Sequence, residues 1–314
     1  MGSVHDGDGD YQPFRRGPLE VVTETSEAAD RARGITFPIE VWAPADDRKE
    51  DRALVLFSHY SSGHRRKSSF LCEHLASHGY VVAALDHSEV VDPRLARRDG
   101  ETPAERKARV EAVMAARVPD VRFLLDRVLS ARHGVDASRI GIVGHSFGGW
   151  TALATPEVER RVGSVVALAP GGSDRPRPGV VPVKLTFHWE RAVPALFIAA
   201  DGDVPIPLQN VVELYDRAPS PKRLFVLRRA DHQHFVDDVE GEQEAVRAAT
   251  FPGDAAWIPA ATRPISELMS GDEAHRIVRG LTLAHFDATL RATAAADRFL
   301  DTVAASERQF VYGA

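Results

Sequence analysis

Polar and apolar positions follow two rhythms along this chain. Residues 19–25 and 35–42 alternate with the two-residue period of antiparallel strands, and the polar stretch 26–34 between them predicts a turn. Residues 53–57 (ALVLF) and 80–85 (YVVAAL) are instead continuous apolar runs, the pattern of strands buried on both faces. Between these runs a helix is expected, capped by Ser68 or Ser69, faced by Phe70, Leu71 and Leu75, and stopped by Gly79. The polar, Pro-punctuated stretch 88–101 reads as a loop. Thr102-Pro103-Ala104-Glu105 is a capping box with proline at the first helical position. Beyond it, Val121, Leu124, Leu125, Val128 and Leu129 form a stripe at helical spacing. Runs at 140–143, 162–169, 195–200 and 223–227 predict further strands. Ser270 and Glu273 form a capping box before a final helix expected to reach about Ala304. Strands alternating with helices in this way imply an α/β architecture: a mostly parallel central sheet flanked by helices on both faces.

Composition narrows the class. With 44% hydrophobic and 27% charged residues over 314 positions, the chain can bury a full core. α/β folds of this length often form one unit, so a single domain is expected over residues 18–314, preceded by a loose arm at 1–17. One cysteine excludes a disulfide scaffold and any Cys-rich zinc module. A formal net charge of −6 argues against a general nucleic-acid binder, which needs a basic face. The longest apolar stretches are strand-length, so no membrane span is expected. The acidic, Gly-rich start MGSVHDGDGDYQPF lacks the pattern of a secretory leader, which makes a cytoplasmic location the default expectation. The sequence leaves the oligomeric state open.

The sharpest chemical signal is Gly144-His145-Ser146-Phe147-Gly148. Gly-x-Ser-x-Gly alone is weak, but here it follows a buried strand and precedes the helix-compatible Trp150-Thr151-Ala152-Leu153-Ala154. That is the strand–turn–helix context of a nucleophile elbow. Ser146 is then expected in a strained conformation, with Gly144 and Gly148 small because a Cβ would strike neighbouring backbone. The helix N-terminus favours negative charge at the serine oxygen.

These residues, together with FSHYSSG (57–63), LASHGYVVAALDH (75–87), DVRFLLD (120–126), VPALFIAADGDVPIP (193–207) and RRADHQHFVDD (228–238), resemble the α/β-hydrolases. The branch they are similar to holds dienelactone hydrolases, platelet-activating-factor acetylhydrolases and bacterial polyester hydrolases. The resemblance covers roughly residues 20–240 and implies an α/β-hydrolase fold and a serine hydrolase that needs no cofactor.

A serine hydroxyl needs a base, and the base an acid to orient it, in the chain order Ser, Asp or Glu, His. Asp201 and Asp203 both end the run 195–200; the resemblance places the acid at Asp203 and leaves Asp201 as a turn former. His232 and His234 are both available as bases. The resemblance aligns His232 with the catalytic histidine, and His234 would point the opposite way in an extended segment, as a hydrogen-bonded surface imidazole. The oxyanion hole needs two backbone N–H groups. Phe147, after the nucleophile, supplies one; by resemblance to polyester hydrolases, Tyr60 supplies the other and lines the acyl pocket. Ala169-Pro170-Gly171-Gly172 stands where polyester- and phospholipid-cleaving relatives carry a tryptophan, so the aromatic clamp for those substrates is missing.

Weaker signals concern the substrate. Arg65 and Arg66, in the basic run 64–67, are candidates to meet an anionic group, and His145 and Trp257 are further candidate contacts. Phe251 and Trp257 lie in an irregular, Pro-rich stretch, 240–269, that is expected to form a partial cap or to pack on the last helix. His74 and His78 have the spacing of a metal pair but no third ligand, so no metal is expected. Cys72 and Trp150 read as core residues. The leading function is hydrolysis of a small-molecule carboxylic ester through an acyl-enzyme. A lactone, thioester or amide hydrolase keeps the same triad, and a non-catalytic ligand-binding module would show a degraded one.

Overall fold

The computed structural model describes residues 11–46, 51–98, 100–132 and 134–305. Strands β1 (Val21–Asp30), β2 (Ile35–Pro44) and β3 (Arg52–Ser58) are followed by α1 (Ser69–Ser77), β4 (Val81–Leu85), α2 (Ser88–Val91) and α3 (Pro103–Ala131). Then come β5 (Val135–His145), α4 (Phe147–Ala154), β6 (Val162–Leu168), β7 (Ala195–Ala200), α5 (Leu208–Arg217) and β8 (Lys222–Leu227). Helices α6 (Val239–Ala248), α7 (Ile258–Ala261), α8 (Gly271–Leu290) and α9 (Ala294–Ala305) complete the described chain.

The eight strands form one sheet in the order β1-β2-β4-β3-β5-β6-β7-β8. Only the β1–β2 and β2–β4 pairings are antiparallel. The expected mostly parallel sheet is therefore the one found. Its double burial explains the continuous apolar runs. In β3, Leu54 and Leu56 join the core beneath α3, with Leu124, Leu125 and Val128, whereas Val55 and Phe57 join the opposite core with Leu71, Leu75, Leu281 and Phe286. No helix among the described residues is long and apolar enough to cross a membrane.

Several local expectations differ from the structure, and the stretch 88–101 expected as a loop opens with α2. The first strand runs on to Asp30, because β1 is a largely exposed edge on which polar residues pair as well as apolar ones. Residues 11–17 are docked, whereas a loose arm was expected. The Tyr11 hydroxyl donates to Asp287, His74 and His78 donate through Nε2 to the carbonyls of Pro13 and Arg15, and Phe14 packs edge-on to Phe299. Residues 1–10 of the expected arm lie outside the described residues. The final helix is two: α8 ends with Ala292 at φ +53° and a Thr293 N–H to Asp287 carbonyl bond of 2.9 Å. That is a left-handed stop made with alanine where glycine is usual, so no glycine marks it in the sequence.

Helix α1 is capped from a distance. Ser68 makes no side-chain cap; its hydroxyl donates to the Phe235 carbonyl. The Asp237 carboxylate instead accepts from the N–H groups of Ser69 and Phe70, at 3.0 and 2.9 Å.

Candidate active site

The site is built where β5 ends and α4 begins. Ser146 has φ 59° and ψ −116°, a conformation held by its N–H on the Leu168 carbonyl at 2.8 Å. A Cβ on Gly144 would lie 2.1 Å from the Gly148 carbonyl oxygen, and one on Gly148 would lie 1.9 Å from the Ser58 oxygen. Both glycines are thus required by backbone approach. The second contact also presses the start of α4 against the loop that leaves β3.

Two other strand ends deliver the partners. Asp203 follows β7 and His232 follows β8 on a short 3-10 turn. His232 Nδ1 lies 2.7 Å from Asp203 Oδ2, and its Nε2 lies 2.9 Å from Ser146 Oγ. Since the carboxylate only accepts, Nδ1 carries the proton and Nε2 is free to accept from the serine hydroxyl. Asp203 Oδ1 takes the Ile206 N–H at 2.6 Å, which fixes the carboxylate plane. Burial disfavours the charged imidazole, but Asp203 and the nearby Asp231 outweigh it and hold His232 above its ordinary value. Burial pushes the Asp203 carboxyl up by more than His232 pulls it down.

The structure separates the competing candidates. Asp201 is exposed, and among the described residues its carboxylate receives only the Ala230 N–H, at 3.4 Å. His234 is not a surface imidazole: it is fully buried, with Nδ1 at the Asp231 backbone and Nε2 3.0 Å from the Met269 carbonyl oxygen. The 3-10 turn, in place of an extended segment, sends it into the protein.

Phe147 opens α4 directly after Ser146, and Tyr60 lies on the loop that leaves β3. Among the described residues, neither backbone N–H has an internal acceptor. The Tyr60 ring packs edge-on to His145 at 5.6 Å, and His145 packs on His232 at 4.7 Å. His145 is buried, so it supports the His232 ring and offers no surface to a ligand.

Arg65 and Arg66 do not form a free cationic patch. Arg65 pairs with Asp86 and Glu40, and Arg66 pairs with Glu40, whose side chain is fully buried. Lys67 pairs with Glu242. The carboxylates that hold this run are the protein's own. Trp257 is also displaced from its expected place: its indole N–H donates to the Pro178 carbonyl and Arg177 lies over its ring. Phe251 and Ile258 of the same stretch do reach the site, lining a cavity of about 140 Å³ beside His232 with Pro205, Val246 and Thr262. Trp150 and Cys72 are buried as expected. His74 and His78 bind the N-terminal segment, and no cluster of three metal-ligating side chains occurs among the described residues.

Sequence reasoning missed the polar network behind Tyr60. Arg117 donates to the carbonyls of His59 and Tyr60 and pairs with Glu89. His59 Nδ1 donates to the Tyr60 carbonyl at 2.7 Å, and its Nε2 accepts the His87 N–H at 3.0 Å. His87 in turn joins Ser58 to Asp120. Burial drives both histidines well below their ordinary value, so both are neutral. One signal was available: Arg117 and Asp120 fall on the same buried stripe of α3 as Val113, Val121 and Leu124. Two charges on an apolar face demand buried partners.

The chain is 26% identical over 229 residues to Cutinase est1 of Thermobifida alba, covering 72% of this chain and 66% of that protein. It is 25% identical over 221 residues to bis(hydroxyethyl) terephthalate hydrolase of Streptomyces coelicolor, covering 70% and 62%. The matched region is thus somewhat under two thirds of those relatives' own length. A solved ferulic acid esterase from Streptomyces cinnamoneus superposes with a TM-score of 0.63 over 92% of this chain and 95% of that one, at 23% identity, and shares the fold. The model of the PETase, PET hydrolase-like, family matches residues 15–250, and with its elbow serine on an α/β-hydrolase sheet the chain belongs to that family.

Proposed function

We propose that this protein is a serine esterase that cleaves carboxylic esters of small molecules through an acyl-enzyme. The observation that carries the reading is the unbroken line from Asp203 through His232 to Ser146, with hydrogen bonds of 2.7 and 2.9 Å. Ser146 Oγ attacks the carbonyl carbon while His232 Nε2 takes its proton, and the N–H groups of Tyr60 and Phe147 bind the oxygen that becomes negative. The tetrahedral intermediate collapses, the C–O bond to the alcohol breaks, and His232 returns the proton to the leaving oxygen. Water, deprotonated by the same imidazole, then releases the acid and restores Ser146.

The acyl side is short. Tyr60 narrows it, and Gly171, whose N–H donates to the Ser146 carbonyl at 3.1 Å, supplies no aromatic wall. Acyl groups of roughly two to four carbons suit it, since an extra methylene in a tight pocket costs about 1–3 kcal/mol. The alcohol leaves toward the imidazole that protonates it, and the cavity of about 140 Å³ lined by Phe251 and Ile258 gives it an apolar seat. A fluorophosphonate label with peptide mapping tests the nucleophile. A panel of acetyl, butyryl, octanoyl and decanoyl esters, with matched lactones, thioesters and amides, tests the bond and the length. Labelling elsewhere than Ser146 overturns the mechanism, and a maximum at octanoyl or longer overturns the size argument.

A further inference from the structure

Arg117 has no place in the triad, yet it is fully buried directly behind the loop that carries Tyr60. From α3, its Nη1 donates to the His59 carbonyl oxygen at 2.7 Å and its Nη2 to the Tyr60 carbonyl oxygen at 3.3 Å, while Glu89 of α2 balances the charge. Its guanidinium carbon also lies 4.2 Å from the centre of the Phe147 ring. One side chain therefore touches both segments that carry the oxyanion donors.

The His59 carbonyl and the Tyr60 N–H are the two ends of one peptide group. In a trans peptide they point in opposite directions. Holding the carbonyl on Arg117, on the protein side of the loop, therefore aims the N–H away from Arg117. The peptide on the other side of Tyr60 is fixed too, by the His59 Nδ1–H and Arg117 Nη2 bonds to the Tyr60 carbonyl. A charge-assisted hydrogen bond to the carbonyl end also draws electrons from the nitrogen, which strengthens the N–H as a donor. An ion pair with Glu89 alone would need no contact with either carbonyl. The planar guanidinium fork spreads its donors in fixed directions over Glu89 and both carbonyls, whereas an ammonium donates from one point.

We propose that Arg117 is a positioning residue for the oxyanion hole, orienting and polarising the His59–Tyr60 peptide so that its N–H receives the negative charge formed on the substrate carbonyl. The proposal rests on the reading of Tyr60 as an oxyanion donor given above. It assigns to a residue remote from the substrate a share of the electrostatic stabilisation of the transition state.

The test compares Arg117→Met and Arg117→Lys with the wild type on a short-acyl ester, after circular dichroism and thermal melting have established the folded fraction. Two inhibitors report on the site: a trifluoromethyl ketone, to which Ser146 Oγ adds to place an oxyanion in the hole, and the corresponding secondary alcohol, which binds without adding. In Arg117→Met, kcat/KM falls about ten- to a hundredfold, less than the loss on deleting a whole oxyanion donor. The ketone weakens by the same factor, and the alcohol changes by less than about twofold. Arg117→Lys shows the same split with a loss of about three- to tenfold, and it decides the matter if the methionine variant does not fold. Unchanged kcat/KM in a folded variant overturns the proposal. So does equal weakening of ketone and alcohol, or a loss of activity that only tracks the folded fraction. A wild-type protein without esterase activity or a Ser146 label would instead overturn the serine-esterase reading, a distinct outcome.

Discussion

Asp231 and Val204 lie on different loops and are joined by one bond, from the Val204 N–H to Asp231 Oδ1, at 2.9 Å. The same oxygen takes the His232 N–H at 2.7 Å, and Oδ2 takes Gln243 Nε2 at 3.1 Å. The loop of Asp203, the loop of His232 and helix α6 thus share one buried carboxylate. Neither its role nor that of Gln243 was expected from the sequence.

Asp231→Asn keeps an acceptor and removes the charge. On the proposed mechanism activity requires neutral His232, so the rate rises with pH through the pKa of that group, which lies above its ordinary value. Without the Asp231 charge the imidazolium loses a stabilising neighbour and gives up its proton more readily. The acid limb of kcat/KM therefore moves to lower pH, read from a profile between pH 5 and 9. An unmoved limb would show that Asp231 acts only on loop geometry.

His232→Ala and His234→Ala separate chemistry from packing. His232→Ala lowers kcat by several orders of magnitude with the fold intact, because only that imidazole reaches both Ser146 and Asp203. His234→Ala leaves the Met269 carbonyl without its buried partner and lowers stability by about 1–3 kcal/mol, with a far smaller effect on the rate of folded protein. Urea denaturation beside initial rates measures both. Equal losses in rate would overturn the assignment of the base.

Gly148→Ala is expected to be inactive. The new methyl carbon would lie 1.9 Å from the Ser58 oxygen and 2.7 Å from the His59 oxygen, both backbone atoms. The elbow must move off the β3 loop, which on the proposed mechanism separates the Tyr60 and Phe147 N–H groups that receive the oxyanion. A loss of at least about a hundredfold in kcat, the scale of one donor removed, is the expected outcome.

Neutralising Arg65 and Arg66 together leaves the Glu40 carboxylate buried without its cations. Breaking such an arrangement costs about 3 kcal/mol, and replacing the half-exposed Arg66 alone costs less. The expected readout is a lower melting temperature with the same KM for anionic and neutral esters. A selective rise in KM for anionic esters would restore the cationic run as a substrate contact.

Acid should destabilise the fold from about pH 6.5 downward. His74 and His285 are pulled down to about 3 chiefly by burial, and His59, His87 and His145 are held well below their ordinary value for the same first cause. Below pH 6.5 the unfolded chain takes up protons that these folded imidazoles refuse. Stability then falls as pH drops toward the folded values, by about 1.4 kcal/mol per pH unit for each such group. Melting temperatures between pH 4 and 8 check the slope; a flat profile would mean these histidines are charged in the fold.

By itself, the chain determined what depends on period and local chemistry. The doubly buried strands, the helix opened by Thr102 and the elbow at Gly144–Gly148 are legible because side-chain alternation, capping and backbone clearance act over a few residues. The choice of Asp203 over Asp201 and of His232 over His234 came from likeness to a family, and it is the fold that brings these residues to one point from three strand ends. Only tertiary structure decided what depends on distant partners. Asp237 caps a helix 168 residues away in sequence from Ser69, the basic run 64–67 is matched by Glu40, Asp86 and Glu242, and Trp257 turns to Pro178 and not to the site. Arg117 shows the same limit. A charge on a buried helical stripe announces that a partner exists, but besides Glu89 the partners are a pair of carbonyl oxygens, which no side-chain pattern records.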